Sequence, residues 1–267
     1  MYLVNYHCHT RLSFDSKAPG PDMARAAAAA GLGELCFTDH VDLLNADGTR
    51  GGFQGWAPYE AQFRESQTAV GSALRIVRGI ELGEIWEDPA LSARIVSWPE
   101  LDFVIGSVHN LDSAHGGADF AEFNFADNEP LCLEVLDTYF SCMERLAVLD
   151  CFDVLGHVPY PFRYMNRRDG NHIPTAPYMS RVEGIFRTVI AKNKGIEVNT
   201  DRGRMLEEWR EFLALYRDCG GRIVTLGSDS HAPEHVAAGL PQAAELLKEF
   251  GFGLAVYEKR QPSIIKL

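Results

Sequence analysis

Six of the nine histidines of this chain lie at or just beyond the ends of short apolar segments, several of them beside an acidic residue. With three acidic residues they form one set of candidate ligands: His7, His9, Asp15, His40, Glu81, His109, His157, Asp229 and His231. Imidazole and carboxylate groups together suit Zn, Mn or Fe ions. Because a bound metal ion can activate water, these residues predict a metal-dependent hydrolase.

The first motif is His7-Cys8-His9, at the end of an apolar segment. Side chains alternate between the two faces of a strand, so both imidazoles lie on one face and Cys8 lies on the other. Two imidazoles on one face can bind one ion. Chance produces such a pair in roughly a quarter of chains with this many histidines, so the pair is weak evidence on its own.

The other motifs also have structural interpretations when each is taken alone. His40 could be a capping or core histidine, and Glu81 could belong to a buried ion pair. The whole set is harder to explain in this way, because the strands of a parallel α/β barrel end at one common mouth. The three remaining histidines, His115, His172 and His235, do not follow the pattern, and the predicted site leaves them out.

Segments typical of β-strands alternate with amphipathic segments typical of α-helices along the chain. The predicted strands are residues 3–8, 35–38, 76–81, 103–107, 152–156, 196–199 and 223–227. The predicted helices are residues 21–30, 59–72, 129–149, 176–193, 205–219 and 240–250. This alternation predicts an α/β fold with a parallel sheet or barrel. No linker or internal repeat interrupts it, so we expect a single domain over residues 1–267.

One connection, residues 110–128, stands apart from the others. It is polar, rich in Gly and Asp, and too long to be a turn. Loops of this length in compact domains are usually functional covers or mobile segments. We therefore expect this connection to be either a functional cover or a mobile segment.

The composition excludes several classes of protein. Hydrophobic residues make up 46% and charged residues 23%, as in ordinary globular proteins. The net charge of -12 argues against a partner that is a nucleic acid, whose phosphates attract Lys and Arg. The six cysteines form no CxxC pair, which favours reduced thiols. Neither a leader segment nor an apolar segment long enough for a membrane is present, so we expect a cytoplasmic protein that does not bind a membrane.

The series HxH, Asp15, TDH, GIE, SVH, GH and SDSH resembles the PHP (polymerase and histidinol phosphatase) superfamily. Longer stretches, at residues 101–109, 152–157, 195–200 and 220–231, resemble its histidinol-phosphate phosphatase branch. The resemblance covers essentially the whole chain. It implies a distorted, TIM-like (β/α) barrel of seven strands that holds three divalent metal ions.

The resemblance also implies how the ligands are shared among these ions. His7, His9, Glu81 and Asp229 would hold the first ion, Glu81, His109 and His157 the second, and Asp15, His40 and His231 the third. Glu81 would bridge two ions, which a carboxylate with two oxygens can do. Zn, Mn and Fe all remain compatible with this ligand set.

Two arginines are similar to the phosphate-binding residues of the branch. They are Arg163, shortly after His157, and Arg204. The planar guanidinium fork pairs well with phosphate oxygens, although a surface salt bridge is the alternative for either residue. Where the branch usually has Ser-Gly-Leu, this chain has Asp201-Arg202-Gly203, so Arg202 is a third candidate.

The predicted reaction is hydrolysis of a small phosphorylated substrate, L-histidinol phosphate, to L-histidinol and phosphate, a step of histidine biosynthesis. The expected mechanism is in-line attack by a metal-bridging hydroxide, with Glu81, Asp229 and His231 as catalytic residues. One alternative is another phosphoesterase of the superfamily, acting on nucleotide or sugar phosphates. An amidohydrolase-like enzyme would need a bridging Lys at a strand end, and a non-catalytic metal module would need fewer ligands.

Overall fold

The computed structural model describes residues 2–267 and folds them into an α/β barrel. Its strands are β1 (Val4–Asn5), β2 (Glu34–Phe37), β3 (His40–Asp42), β4 (Arg75–Gly83), β5 (Phe103–Ser107), β6 (Val154–Leu155), β7 (Gly195–Asn199), β8 (Val224–Gly227), β9 (Leu254–Glu258) and β10 (Gln261–Ile265). Its helices are α1 (Gly20–Ala29), α2 (Ala57–Val70), α3 (Pro89–Val96), α4 (Glu129–Ala147), α5 (Tyr160–Phe162), α6 (Met179–Ala191), α7 (Trp209–Asp218) and α8 (Leu240–Glu249).

Seven parallel strands form the barrel in the order β1-β2-β4-β5-β6-β7-β8, and β3 pairs with the carboxyl end of β4. The first and last strands approach each other closely. The backbone nitrogen of Tyr6 donates to the carbonyl oxygen of Leu226 at 2.8 Å, and Cys8 forms a parallel bridge with Ser230. The barrel is nearly closed, which confirms the prediction of a distorted seven-stranded, TIM-like barrel.

The barrel strands are buried because helices cover their outer faces. Every residue of β5, from Phe103 to Ser107, is buried, and the same holds for β2, β7 and β8. Strands buried on both faces have continuous apolar sequences rather than alternating ones. Such apolar segments are easy to recognise in a sequence. All seven predicted strands are present, and so are all six predicted helices, with ends that differ by a few residues.

Five of these helices and strands were not predicted, namely α3, α5, β3 and the two hairpin strands β9 and β10. Helix α3 is only eight residues long, and β3 and α5 have three residues each, too few for a periodic pattern. The hairpin turns at Lys259 and Arg260, whose φ angles are 47° and 65°. Such turns usually carry Asn or Gly, so the turn has no recognisable sequence signal.

The hairpin covers the amino-terminal end of the barrel. The backbone nitrogen of Lys259 donates to Asp102 Oδ1 at 2.9 Å, and Arg260 Nε donates to Asp153 Oδ2 at 2.5 Å. Asp102 immediately precedes β5, and Asp153 immediately precedes β6. The carboxyl ends of the strands therefore form the open end of the barrel.

No helix in residues 2–267 is both long and apolar enough to span a bilayer. All six cysteines are free thiols, and four of them are buried.

Candidate metal centre

All nine predicted ligands meet at the open end of the barrel, because each follows or ends a barrel strand. His7 and His9 follow β1, Asp15 lies in the next loop, His40 begins β3, Glu81 lies in β4, His109 and His157 follow β5 and β6, and Asp229 and His231 follow β8. Their ligand atoms form overlapping groups in which all atoms lie within 4.8 Å of one another. A cavity of about 250 Å³ opens over them.

The deepest group contains His7, His9 and Asp229. The Nε2 atoms of the two histidines are 2.9 Å apart, and Asp229 Oδ1 lies 3.4 Å from His9 Nε2. Both histidines are fully buried. As expected from strand alternation, Cys8 points the other way, and its thiol donates to the carbonyl oxygen of Cys36.

Glu81 lies between this group and the next one. Its Oε2 atom is 3.1 Å from His7 Nε2. Its Oε1 atom is 3.0 Å from His109 Nε2 and 2.9 Å from His157 Nε2. One carboxylate therefore faces two sets of ligands, which is the geometry that a bridging ligand needs.

A third group contains His9, Asp15, His40 and His231, so the geometry adds His9 to the predicted trio. Asp15 Oδ2 is 2.7 Å from His231 Nε2 and 3.7 Å from His40 Nε2. A further group joins His40 and His109 to Asp42, which the sequence analysis did not select.

Hydrogen bonds fix which ring nitrogen of several histidines faces the site. His7 Nδ1 donates to Glu197 Oε1 at 2.7 Å, and His109 Nδ1 donates to Asp42 Oδ1 at 3.1 Å, because a carboxylate can only accept. His231 Nδ1 donates to the carbonyl oxygen of Asp229 at 3.0 Å. The Nε2 lone pairs of these rings therefore point into the site. Partners of this kind orient metal-binding histidines and increase their basicity.

Within residues 2–267, Arg163 is the one permanent cation that pairs with a carboxylate of the predicted ligand set, and it pairs with Asp229. Burial favours a raised pKa for Glu81, but His7, His109 and His40 outweigh burial and hold that pKa well below its usual range. Burial also favours a raised pKa for Asp229, but His7, His9 and Arg163 hold that pKa well below its usual range.

The pKa values of two neighbouring histidines, His9 and His40, shift in opposite directions. Burial and the neighbouring His40 lower the pKa of His9 to about 3, so its ring is a neutral lone-pair donor at pH 7. For His40, burial is outweighed by Asp42 and Glu81, which raise its pKa to about 9.

These features fit divalent cations. Imidazole nitrogens and carboxylate oxygens converge at separations of 2.9 to 3.4 Å, and such an arrangement is costly unless protons or a bound cation supply positive charge between them.

The predicted arginines lie on one side of the cavity. Arg163 is half-buried, and its two terminal nitrogens each lie 3.1 Å from Asp229 Oδ2. Arg202 also lines the cavity, whereas Arg204 lies in an adjoining hollow and donates to Asp201 Oδ1 at 2.5 Å. The roles of all three in binding phosphate stay predictions.

The chain holds Arg202 in an uncommon backbone conformation. The φ angles of Asp201 and Arg202 are 44° and 55°. The backbone nitrogen of Arg202 donates to the carbonyl oxygen of Ser228 at 2.8 Å, and that of Asp201 donates to Asn199 Oδ1 at 2.8 Å. Strained conformations that neighbours hold in this way are frequent at functional sites.

Glu197 and Asp42 are the residues of the site that the sequence analysis missed. Glu197 is fully buried in β7, between apolar residues, and an isolated acid in an apolar strand is a signal that could have identified it. Asp42 follows His40 by two residues, so strand alternation places both on one face.

Comparisons with known proteins show which family the chain resembles. The family model of the PHP domain matches residues 5–201. The histidinol-phosphatase of Lactococcus lactis is 26% identical over 94% of this chain and 93% of its own length. A protein of Clostridium acetobutylicum described as a probable histidinol-phosphatase is 28% identical, over 95% and 96%.

A solved structure is similar over almost the whole chain. It is the histidinol phosphate phosphatase of Lactococcus lactis complexed with Zn, L-histidinol and phosphate. The TM-score is 0.81 at 24% identity, with 98% of both chains covered. The similarity confirms the predicted type of barrel.

Proposed function

Because this chain belongs to the PHP domain family and is a metal-dependent phosphoesterase, we propose that it hydrolyses L-histidinol phosphate to L-histidinol and phosphate. The observation that carries the proposal is the convergence of three ligand groups around Glu81, beside Arg163 and Arg202 in one cavity. Relatives named histidinol-phosphatase, 23–28% identical over nearly the full length, support this choice of substrate. We also propose that residues 1–267 act as one domain.

We propose that the metal ions are held by three sets of residues. The sets are His7, His9, Glu81 and Asp229; Glu81, His109 and His157; and Asp15, His40 and His231, with His9 beside the last set. Divalent ions bound there would supply activation of water and neutralisation of charge on the phosphoryl group. Zn is the metal in the solved relative.

The residues of the chain itself have separate tasks. Arg163 and Arg202 would bind phosphoryl oxygens, which suits fixed cations that line the cavity. Asp229 holds Arg163 through its Oδ2 atom while its Oδ1 atom faces His9. Glu81, Asp229 and His231 would act in catalysis by keeping the ions in place against the phosphoryl group.

A substrate panel tests the choice of substrate. The metal-loaded protein would be assayed for phosphate release from L-histidinol phosphate, a nucleoside monophosphate and a sugar phosphate. We expect kcat/KM for L-histidinol phosphate to exceed the others by about a hundredfold or more, since a polar site rejects ligands that leave its buried groups unpaired. Similar values for all three, or a preference for another ester, would contradict the proposal.

A further inference from the structure

Asp201 lies at the centre of a cluster of arginines beside the metal centre. It follows β7 by two residues, and it is fully buried. The arginines that approach its two carboxylate oxygens are Arg163, Arg167, Arg202 and Arg204. One carboxylate carries one negative charge, so it compensates at most one of these four cations. The way in which Asp201 shares its oxygens therefore decides which arginines stay available to an anionic ligand.

The four arginines do not share the carboxylate equally. Arg204 donates from Nη2 to Oδ1 at 2.5 Å and from Nε to the backbone carbonyl oxygen of Asp201 at 3.0 Å. Arg167 donates to Oδ2. By contrast, Arg202 Nη2 lies 3.5 Å from Oδ1, and Arg163 Nε lies 3.6 Å from Oδ2, at or beyond the limit of a hydrogen bond. Asp201 therefore holds Arg167 and Arg204 firmly and the other two loosely.

The two loosely held arginines are the ones that line the cavity over the metal ligands. Arg167 and Arg204 line only the adjoining hollow. Within residues 2–267, the buried Nε atom of Arg163 has no hydrogen-bond partner, and the guanidinium of Arg202 has no closer polar partner than Asp201. The donors that Asp201 leaves free are thus those that face the place of a phosphoryl group.

The turn that carries these residues is fixed by its surroundings. The φ angles of Asp201, Arg202 and Gly203 are 44°, 55° and 80°, a region that residues with side chains rarely adopt. The backbone nitrogen of Arg202 donates to the carbonyl oxygen of Ser228 at 2.8 Å. A Cβ atom on Gly203 would lie 3.2 Å from the backbone nitrogen of Gly239, so the turn packs closely against the neighbouring loop. This turn places Arg202 at the cavity.

We propose that Asp201 is a positioning residue that holds Arg204 out of the metal cavity, so that only Arg163 and Arg202 bind the phosphoryl group, and that it thereby limits the affinity for the phosphate product. Arg202 and Arg204 approach the same Oδ1 atom, so their guanidinium groups are neighbours. The side chain of Arg204 is 52% exposed, and its ion pair rather than packing determines its position.

The inference rests on the proposed function in requiring that phosphate binds at the metal centre. It deepens that function by assigning the residue that selects between two neighbouring arginines. A third guanidinium in the cavity would add charge-assisted hydrogen bonds to a phosphate that the ions and two arginines already hold. Release of the product would then be slower.

Binding of inorganic phosphate to the metal-loaded protein, measured by isothermal titration calorimetry, tests the proposal directly. Asp201→Asn removes the charge, while Asn keeps the shape and tolerates a positive φ angle. We expect this variant to bind phosphate about tenfold more tightly than the wild type, because Arg204 is released and adds a charge-assisted hydrogen bond. The double variant Asp201→Asn, Arg204→Ala should lose the gain. Weaker binding by Asp201→Asn, or a gain that persists in the double variant, would overturn the proposal.

Single arginine variants test the same assignment with Asp201 intact, and both side chains are exposed enough for the variants to fold. With p-nitrophenyl phosphate, Arg202→Ala should lower kcat/KM about thirtyfold, and Arg204→Ala about threefold or less. In the Asp201→Asn background, Arg204→Ala should cost about tenfold. A purely structural role of Asp201 would not move sensitivity from one arginine to the other. Equal losses in the two single variants would contradict the inference.

Asp169→Asn is the matched control. Asp169 pairs with Arg168 at the edge of the adjoining hollow, and its Oδ2 atom accepts from the backbone nitrogen of Phe125 at 2.8 Å, a bond that one Asn oxygen can keep. Phosphate should bind this variant as it binds the wild type. A gain as large as that of Asp201→Asn would show that loss of any nearby negative charge is sufficient, and would overturn the role of Asp201.

The two probes contain no histidinol, so the inference and the proposed substrate can fail separately. If phosphate affinity depends on Asp201 and Arg204 as expected but L-histidinol phosphate is a poor substrate, the role of Asp201 is correct and the substrate is wrong. If L-histidinol phosphate is hydrolysed well and Arg202→Ala and Arg204→Ala lower its kcat/KM equally, the substrate is correct and the role of Asp201 is wrong.

Discussion

Both ends of the barrel bury acidic side chains, but they compensate the negative charge in different ways. At the amino-terminal end, Glu34 accepts from Tyr6 Oη at 2.6 Å and from Arg75 at 3.0 Å, while Arg260 pairs with Asp153. Arginines, hydroxyls and backbone nitrogens donate there, and the hairpin covers them. The buried acids at this end therefore need no bound ion to compensate their charge.

At the open end, the acids face imidazoles instead. Glu81 meets only histidines and the hydroxyl of Ser107, which donates to it at 2.6 Å. Histidine is a neutral ligand or a cation depending on conditions. Apart from Asp229, which pairs with Arg163, the ligand carboxylates of this end are therefore compensated only when protons or metal ions are present. The kind of partner, rather than the burial of acids as such, therefore distinguishes the functional end of the barrel.

Loss of a central ligand should have the largest effect. In His9→Ala, two of the ligand groups lose a nitrogen, and we expect kcat/KM with L-histidinol phosphate to fall about a thousandfold or more. Kinetics and metal analysis of the purified variant measure this. Wild-type turnover with full metal content would refute the assignment of the site.

Removal of a permanent cation at the opposite end should affect folding and leave the chemistry intact. Arg260→Ala leaves Asp153 buried without its partner, which costs about 3 kcal/mol of the free energy of unfolding. Urea denaturation checks this value, with the exposed pair of Arg210 and Glu207 as control, since Arg210→Ala should change little. A large fall in kcat/KM of folded Arg260→Ala would show that the two ends are not independent.

Glu197 lies beside the ligands and orients them, so its replacement should have a smaller effect. Its Oε1 atom accepts from His7 Nδ1 and its Oε2 atom accepts from the backbone nitrogen of His157 at 3.1 Å. In Glu197→Gln only one of these bonds can persist, and we expect metal affinity to fall about tenfold. Competition with a chelator measures the affinity; an unchanged value would mean that His7 does not need this partner.

The pH dependence of stability should differ between the two ends. In the metal-free protein the pKa of His40 is about 9, above the value of about 6.5 expected in the unfolded chain. Its protonated ring therefore stabilises the fold fully below about pH 6.5, and this contribution is lost as the pH rises through 9. His9, with a pKa of about 3, is neutral in the folded protein over this range, and the arginines of the covered end stay charged.

We thus expect the Tm of the metal-free protein to decrease between pH 6.5 and pH 9. Excess Zn should remove the decrease, since the ions replace the protons. Differential scanning calorimetry with and without chelator tests this. A Tm that rises over the same pH range would contradict the expected stabilisation by the protonated ring of His40.

Much of the fold and of the candidate site could be predicted from local patterns. Continuous apolar strands followed by polar groups are visible in the sequence, and parallel topology brings their ends together whatever the exact strand lengths. This is why His109 and His157, distant from His7 in sequence, were assigned to one site. The hairpin at Lys259 and Arg260 escaped prediction, because its turn depends on contacts with Asp102 rather than on turn-forming residues.

Residue types and their periodic spacing were enough to predict a parallel α/β fold and the nine candidate ligands, and the resemblance of the motifs to a known family added the seven-stranded type of barrel. Only the tertiary structure decided how the ligands are grouped, which nitrogen of His7 and His109 faces the site, and that Arg202 rather than Arg204 lines the cavity. It also placed Asp119 and Glu122, which belong to the connection of residues 110–128, along a cavity beside the metal centre. These features depend on distances of a few ångströms between segments far apart in the chain, which no local pattern specifies.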